Sequence, residues 1–320
     1  MIVEIYGRCT GNLVVERNNV TLVGMGDHPE ISGRIDAEGD PVGSIVVVRH
    51  AVGAEIRNLT LSGGLFAVDS LFSVVKLDGV RLESSLAGYR SVSSLNEIRN
   101  SIVRDNQWGV ANLAGDRTTV RSTRIVGNEI VGLYTRDHAT ISAIGVELSE
   151  NGAAFSTLSG SLLNFAGQSS IVPGSRGLAL GAQLQFQGGL EAAGLAVQMR
   201  QSASGTITVG AFVEADFELA SDSSLVVEHS LTGNIAASAL SRVVVADGGS
   251  ATTVGCMTAA EAVCIGTVES SNCPGCMGSS PLSPTQTARL RTAAERPLPP
   301  ALQRIVGAGE VLFQSVDTDR

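Results

Sequence analysis

One apolar position recurs along the chain at Ile56, Leu77, Ile98, Val120, Ile141 and Leu162, at intervals of 21, 21, 22, 21 and 21 residues. Five residues after each of the first five comes another apolar residue: Leu61, Leu82, Val103, Ile125 and Val146. Two residues after the recurring position sit small or turn-forming residues, Asn58, Gly79, Asn100, Ser122 and Ala143. A second register, Asn106, Asn128 and Asn151, is spaced 22 and 23 apart, and a short apolar group follows each asparagine. A unit repeated at a fixed period cannot bury its own apolar side and needs identical neighbours above and below.

The repeat is too short and too often broken for a helical solenoid. Its apolar pattern alternates, is rich in Val and Ile, and is punctuated by Gly, Asn and Asp every few residues, which is strand-and-turn chemistry. The framework leucines of a leucine-rich repeat do not recur. A unit of about 21 residues with two or three short strands is therefore read as one rung of a right-handed parallel β-helix, an all-β solenoid. At a sheet spacing of about 4.8 Å, equivalent residues stack directly, and the three asparagines form an amide column in a turn. Ile207/Val209, Leu225/Val227 and Val243/Val245 suggest a shorter period of 18 downstream, where the cross-section changes. Residues 1–255 are expected to form the β-helix. Residues 256–320 are expected to form a cysteine-containing cap, a Ser/Pro linker and short C-terminal helices.

Aromatic residues are only 4% of the 320, so the core must be built from Val, Ile, Leu and Ala. The net charge is −9 and Lys76 is the sole lysine, so the chain lacks the positive field that nucleic acid requires. No apolar run approaches the roughly 20 residues of a membrane span. The opening Met1-Ile-Val-Glu-Ile-Tyr alternates like a strand rather than reading as an export signal.

The runs Tyr6 to Val15 (Tyr-Gly-Arg-Cys-Thr-Gly-Asn-Leu-Val-Val) and Asn19 to Gly26 resemble the opening coils of bacterial right-handed β-helix proteins of the pectate-lyase-like superfamily. Ile56 to Gly64 and Ile98 to Asn106 resemble their repeat. The resemblance covers about four fifths of the chain and implies a fold, not a function. The superfamily holds lyases, hydrolases, epimerases, phage tailspikes and adhesins. It also implies export, with the chain secreted or at the cell surface.

Cys256, Cys264 and the Cys273-Pro-Gly-Cys276 pair admit three readings. A four-thiolate zinc site fits the spacing. A redox motif fits less well, because no thioredoxin-like pattern surrounds it. On an exported fold the favoured reading is two local disulfides, Cys256–Cys264 and Cys273–Cys276, with Cys9 left over. Beyond them, Ser283-Pro284 reads as a helix entry, the helix running through Glu295. Pro297, Pro299 and Pro300 end it, and Ala301 to Val306 forms a further turn. Together these helices are expected to cap the open end of the solenoid.

Enzymes on this fold work on the outer face of one parallel sheet. Asp116 and Asp137, 21 residues apart, are read as stacked carboxylates able to hold Ca²⁺, with Arg117, Arg136 and His138 beside them and Trp108 and Tyr134 in nearby coils. Asp116, Asp137, Arg136 and His138 are thus the catalytic candidates; Trp108, Tyr134 and Arg117 are the binding candidates. The bland reading of the group is a solvated turn. Asp36, Glu38 and Asp40 read as a polar turn, and Arg57, Asp78, Arg99 and Arg121 as a stabilising charged stripe. Pectate-lyase and polygalacturonase signatures are missing, and the repeat runs with few loop insertions. The expected role is a structural, adhesive or carbohydrate-contacting module without cofactor, partnered by polysaccharide or cell-surface components. The alternative is a lyase or glycosidase, Ca²⁺-assisted, using the groove at Asp116, Tyr134, Arg136 and Asp137.

Overall fold

The computed structural model describes residues 1–257, 260–276, 280–294 and 303. They form a parallel β-solenoid of about 13 turns at about 21 residues per turn, the fold the repeat dictates. Each turn contributes strands to three walls. Wall A contains Phe66–Leu71, Ala87–Val92, Trp108–Leu113, Val131–Arg136, Phe155–Leu158 and Arg176–Leu180, each paired in parallel with the next. Wall B contains Val52–Arg57, Val74–Asp78, Leu95–Arg99, Arg117–Arg121 and Thr140–Ile144. Wall C contains the three-residue strands Thr60–Ser62, Arg81–Glu83, Ile102–Arg104, Arg124–Val126 and Glu147–Ser149.

The corner between walls B and C needs one residue in the left-handed region. Asn58, Gly79, Asn100 and Ser122 fill it at φ of 50°, 65°, 51° and 46°, as does Gly145 at 62°. Asparagine and glycine tolerate that conformation better than other residues. The corner also corrects the repeat. Val120 pairs with Ala143, not Ile141, an interval of 23, and Ala143 pairs with Phe165, not Leu162. Leu148, not Val146, continues the second apolar column. The two extra residues enter at separate places: one at the A-to-B corner, where Ala114 and Gly115 and then Asp137 and His138 stand in place of Ser93 alone, and one between Val126 and Val131. Because side chains alternate with period two, a slip of two leaves the apolar pattern intact and hides the insertion.

Stacked hydrogen bonds tie the corners together. At the corner from wall C to wall A, Asn106 Nδ2 donates to Asn128 Oδ1 at 3.1 Å, and Asn128 Nδ2 to Asn151 Oδ1 at 2.8 Å. Each amide also reaches backbone groups of neighbouring coils. The expected amide column is present. At the corner from A to B, side-chain oxygens accept from the coil before: Ala51 N to Ser73 Oγ, Ser73 N to Ser94 Oγ and Ser94 N to Asp116 Oδ1, at 3.2, 3.0 and 2.9 Å.

Downstream, walls C and A merge into long strands, Glu191–Arg200, Phe212–Leu219, Ser230–Ala237 and Ser250–Cys256. The asparagine corner disappears and the turns shorten: Leu225 pairs with Val243, an interval of 18, although Ile207 pairs with Val227 at 20. Here the interior holds a file of rings, with Phe165 and Phe186 stacked 5.8 Å apart and Phe217 edge-on to Phe186 at 6.2 Å.

Parallel pairing continues past residue 255, through Glu261–Cys264 and Thr267–Ser271. Both disulfides form, but crossed relative to the expected pairing: Cys256–Cys273 and Cys264–Cys276, with Cα atoms 5.3 and 4.6 Å apart. Cys256 and Cys264 end strands in different walls, so neither can reach the other. Each is met instead by a cysteine of the loop returning after Ser271. Cys9 is an exposed free thiol.

The helix α1, Pro284–Ala294, starts where Ser283 and Pro284 place it. Ser283 Oγ accepts from Gln286 N at 3.2 Å, and Gln286 Oε1 accepts from Ser283 N at 2.8 Å, a reciprocal capping box. It does not close the end of the solenoid. It lies against Phe212–Leu219 and Ser230–Ala237, and buried Leu290 occupies the space that a Cβ on Gly255 would need. The proline-rich stretch after it and, apart from residue 303, the turn expected from Ala301 to Val306 lie outside the described residues. Among the described residues no helix is long and apolar enough to cross a membrane.

Candidate functional site

A strand in a single-layer solenoid wall faces the core with alternate residues and the outside with the rest. In wall A, Val68, Tyr89, Val110, Leu133 and Phe155 share a register and belong to the central core. The next column, Asp69, Arg90, Ala111, Tyr134, Ser156 and Leu178, therefore points outward. With Phe66, Trp108 and the ends of each strand, it builds a second apolar cluster separate from the core. Walls B and C carry half-exposed residues at their outward positions. Wall A differs, since Arg90 and Trp108 are each 1% exposed and Tyr134 is 0%.

This wall has a charged end and an aromatic middle. Arg90 Nε and Nη2 donate to Asp69 Oδ1 and Oδ2 at 2.8 and 2.6 Å, and the guanidinium lies 4.0 Å from the Phe66 ring centroid. Trp108 and Tyr134 meet edge to face at 4.8 Å. Burial pushes the Tyr134 phenol up to about 12, against the opposing effect of Arg136. Farther along, Gln198 Nε2 donates to Glu218 Oε2 at 2.6 Å. Tyr134 Oη, Ser156 Oγ and Gln198 Oε1, all in this column, are buried without a hydrogen-bond partner. Buried polar groups are nearly always satisfied, so three in one file mark a surface suited to a polar chain.

The sequence-derived candidates disperse. Asp116 does not stack on Asp137. It stacks between Ser94 and Ala139 at the corner, since Thr140 N bonds to its carbonyl, while Gly115 N bonds to the Asp137 carbonyl. The two residues added to this coil, at separate corners, cause the displacement. Asp116 is also fully buried, receiving Ser94 N, Asn96 Nδ2 and Thr118 Oγ1 at 2.9, 3.1 and 3.1 Å. Desolvation raises its pKa to about 6 despite hydrogen bonds from Ser91, Ser94 and Thr118. Turned inward, it can neither reach a ligand outside nor share a calcium ion with Asp137.

Asp137 is partly exposed beside Arg136 at 3.3 Å, His138 is exposed in the same turn, and exposed Arg117 projects from wall B. Trp108 and Tyr134 do come together, in wall A and not in a turn. Phe66, Asp69, Arg90, Ser156 and Gln198 escaped notice because the wall A strands carry no apolar alternation. These segments, such as Phe-Ala-Val-Asp-Ser-Leu and Ala-Gly-Tyr-Arg-Ser-Val, mix apolar and polar residues without a period, and short segments of that kind are ambiguous in sequence. Asp36 Oδ1 accepts from Glu38 N and Asp40 N, closing a polar turn. The charged stripe is neutralised within wall B, Arg99 pairing with Asp78 at 2.7 Å, and Arg57 and Arg121 with Glu55 and Glu97 of the neighbouring outward column. Among the described residues no three His, Cys, Asp or Glu side chains group as a metal site.

No family model matches the chain, and no curated protein does. Among solved structures it is similar to the catalytic domain of a GH87 α-1,3-glucanase solved with tetrasaccharides, at 13% identity and a TM-score of 0.49, covering 89% of this chain and 62% of that one. The chain thus spans less than two thirds of that domain. It is also similar to a DFA-IIIase from Arthrobacter chlorophenolicus A6 in complex with DFA-III, at 9% identity and TM-score 0.34, covering 92% and 80%. A third is a pectin methylesterase from Yersinia enterocolitica, at 12% identity and TM-score 0.29, covering 90% and 91%.

Proposed function

We propose that the chain is an exported β-helix that contacts an extended, polyhydroxylated chain of the carbohydrate class, wall A becoming its seat when its outer side, closed in this structure, opens. The observation that carries this reading is the file Tyr134, Ser156 and Gln198, each with a buried polar atom lacking a partner, beside the Trp108–Tyr134 ring pair. Rings offer faces and edges on which sugars pack, and the file offers hydrogen-bonding groups one rung apart at Tyr134 and Ser156 and two rungs apart, across Leu178, at Ser156 and Gln198, a rung being about 4.8 Å. Two disulfides support an extracellular setting. An acid–base enzyme centred on Asp116 is not supported, because that carboxyl faces inward and is sealed.

Binding is tested with the full chain against neutral and acidic polysaccharides, by affinity electrophoresis and by the emission of Trp108, the only tryptophan. At least one polysaccharide class should retard the protein and shift that emission. Failure of both classes, in both readouts, sinks the reading.

A further inference from the structure

Downstream of Ser149, where wall C runs on into the merged strands, the outer face carries a groove of about 440 Å³ lined by Val172, Pro173, Glu191, Ala193, Phe212 and Glu214. Glu191 is in register with Phe212 of the next coil, and Glu214 follows Phe212 by two residues. Ala192 and Val213 beside them are buried, so Glu191, Phe212 and Glu214 all stand outward. One rung and two residues separate the glutamates, a diagonal of about 8 Å between Cα atoms. Both carboxylates can therefore close on one group beside the ring.

The fold makes no use of these side chains. Outward carboxylates upstream in walls B and C are paired, Asp78 with Arg99, Glu83 with Arg104 and Glu147 with Arg124. Glu191 and Glu214 have no such partner among the described residues. Between residues 191 and 228, Glu191, Glu214, Asp216, Glu218, Asp222 and Glu228 are set against one basic residue, Arg200. Phe212 is 63% exposed, its ring meeting His229 edge-on at 6.0 Å. Val172, 38% exposed, adds to the apolar patch, and an apolar patch rimmed by polar residues is the character of a ligand surface.

We propose that this groove binds a protonated amino sugar, one free-amine hexosamine unit of a cationic polysaccharide, with its ring on Phe212 and its ammonium between Glu191 and Glu214. A purely apolar ligand would leave both carboxylates unused, and two carboxylates alone are a poor cage for a bare metal ion. A peptide adds to a sheet through an open edge, but the strands Glu191–Arg200 and Phe212–Leu219 are paired on both sides. An amino sugar uses every feature. Its C–H face packs on the ring, its ammonium is drawn to the ring and to the carboxylates, and Ser230 and Thr232 of the following coil meet its hydroxyls. The polymer class rests on the carbohydrate reading, but the groove is distinct from wall A and open as it stands.

Calorimetric titration of the full chain tests this, using short glucosamine oligomers in mildly acidic buffer, the same oligomers N-acetylated, and oligolysine. The free-amine oligomer should bind, and N-acetylation, which keeps the ring and removes the charge, should weaken it about tenfold or more. Glu191→Gln with Glu214→Gln should cause the same loss and Phe212→Ala a several-fold one, all three positions being exposed. Equal binding of the N-acetylated oligomer overturns the proposal. So does binding that survives the double substitution, which would be attraction to the net charge of −9. Oligolysine that binds as tightly, and is lost in the same variants, makes a basic peptide the occupant and overturns it too. Trp108 emission reports wall A and keeps the two readings apart. No oligomer binding, with a polysaccharide still shifting that emission, overturns the groove alone; a groove that binds while no polysaccharide engages wall A overturns the wall A seat alone.

Discussion

Arg90 grips Asp69 through two hydrogen bonds, and both side chains, only 2% and 6% exposed, stand on the outer side of a solenoid wall. Removing one member of a buried pair takes the nearest counter-charge from the other in a poor dielectric, a loss of about 3–5 kcal/mol. Asp69→Ala should therefore lower stability by that order, whereas Asp69→Leu with Arg90→Met should recover most of it. Urea denaturation of both variants checks the contrast.

Tyr134→Phe should do the opposite in the free protein. It deletes a buried hydroxyl with no hydrogen-bond partner, and relieving such a group is worth about 1–2 kcal/mol. The same change should weaken polysaccharide binding several-fold. A variant that melts higher yet binds less well separates the ligand role of the hydroxyl from a structural one.

Asp116 makes stability depend on pH in an unusual direction. Its pKa is raised to about 6 by burial, against about 3.9 in an unfolded chain. Between those values the unfolded chain has released the proton and the folded one still holds it, so stability falls as pH rises, by about 3 kcal/mol in all. Asp116→Asn keeps the corner filled and should flatten the profile between pH 4 and 6.5. Comparing unfolding midpoints of wild type and variant across that range isolates this residue from half-buried carboxylates such as Asp78, whose pKa is lowered, first by its hydrogen bond from Arg99.

Asn128→Ala should cost about 2–4 kcal/mol, since it cuts the amide column in the middle and leaves buried donors and acceptors unmatched. Asn151→Ala, at the end of the column, should cost less. Thermal unfolding of the two gives the order directly.

Peptide mapping without reduction should yield the links Cys256–Cys273 and Cys264–Cys276, and thiol titration of the unfolded, unreduced chain should find one free group, Cys9. The loops span 17 and 12 residues, so each bridge contributes about 3 kcal/mol by loop-closure entropy. Recovery of a Cys273–Cys276 peptide would overturn the crossed pairing.

Much of this fold was legible because a solenoid writes the same constraint once per rung. The asparagine corner could be read from Asn106, Asn128 and Asn151 alone, since stacking rewards identical residues at one position. The Ser283 cap was equally local. The acid pair Asp116 and Asp137 was misread for a reason of the same kind: two residues entered the coil, and a period-two pattern cannot reveal a slip of two. Wall A was the least legible element. Its outward positions are buried like its inward ones, and strands buried on both sides lose the alternation that identifies a face.

The corner columns also grade the molecule along its length. Side-chain ladders link coil to coil from Ser73 to Asn151, whereas downstream the A-to-B corner passes to Ala182 and Ala203, which offer no such link. Covalent bridges take over at the far end, between Cys256 and Cys276. Pulled from both ends, such a rod would part between Ser169 and the bridges, where side-chain links between coils are fewer and the phenylalanine rings and backbone pairing carry most of the load.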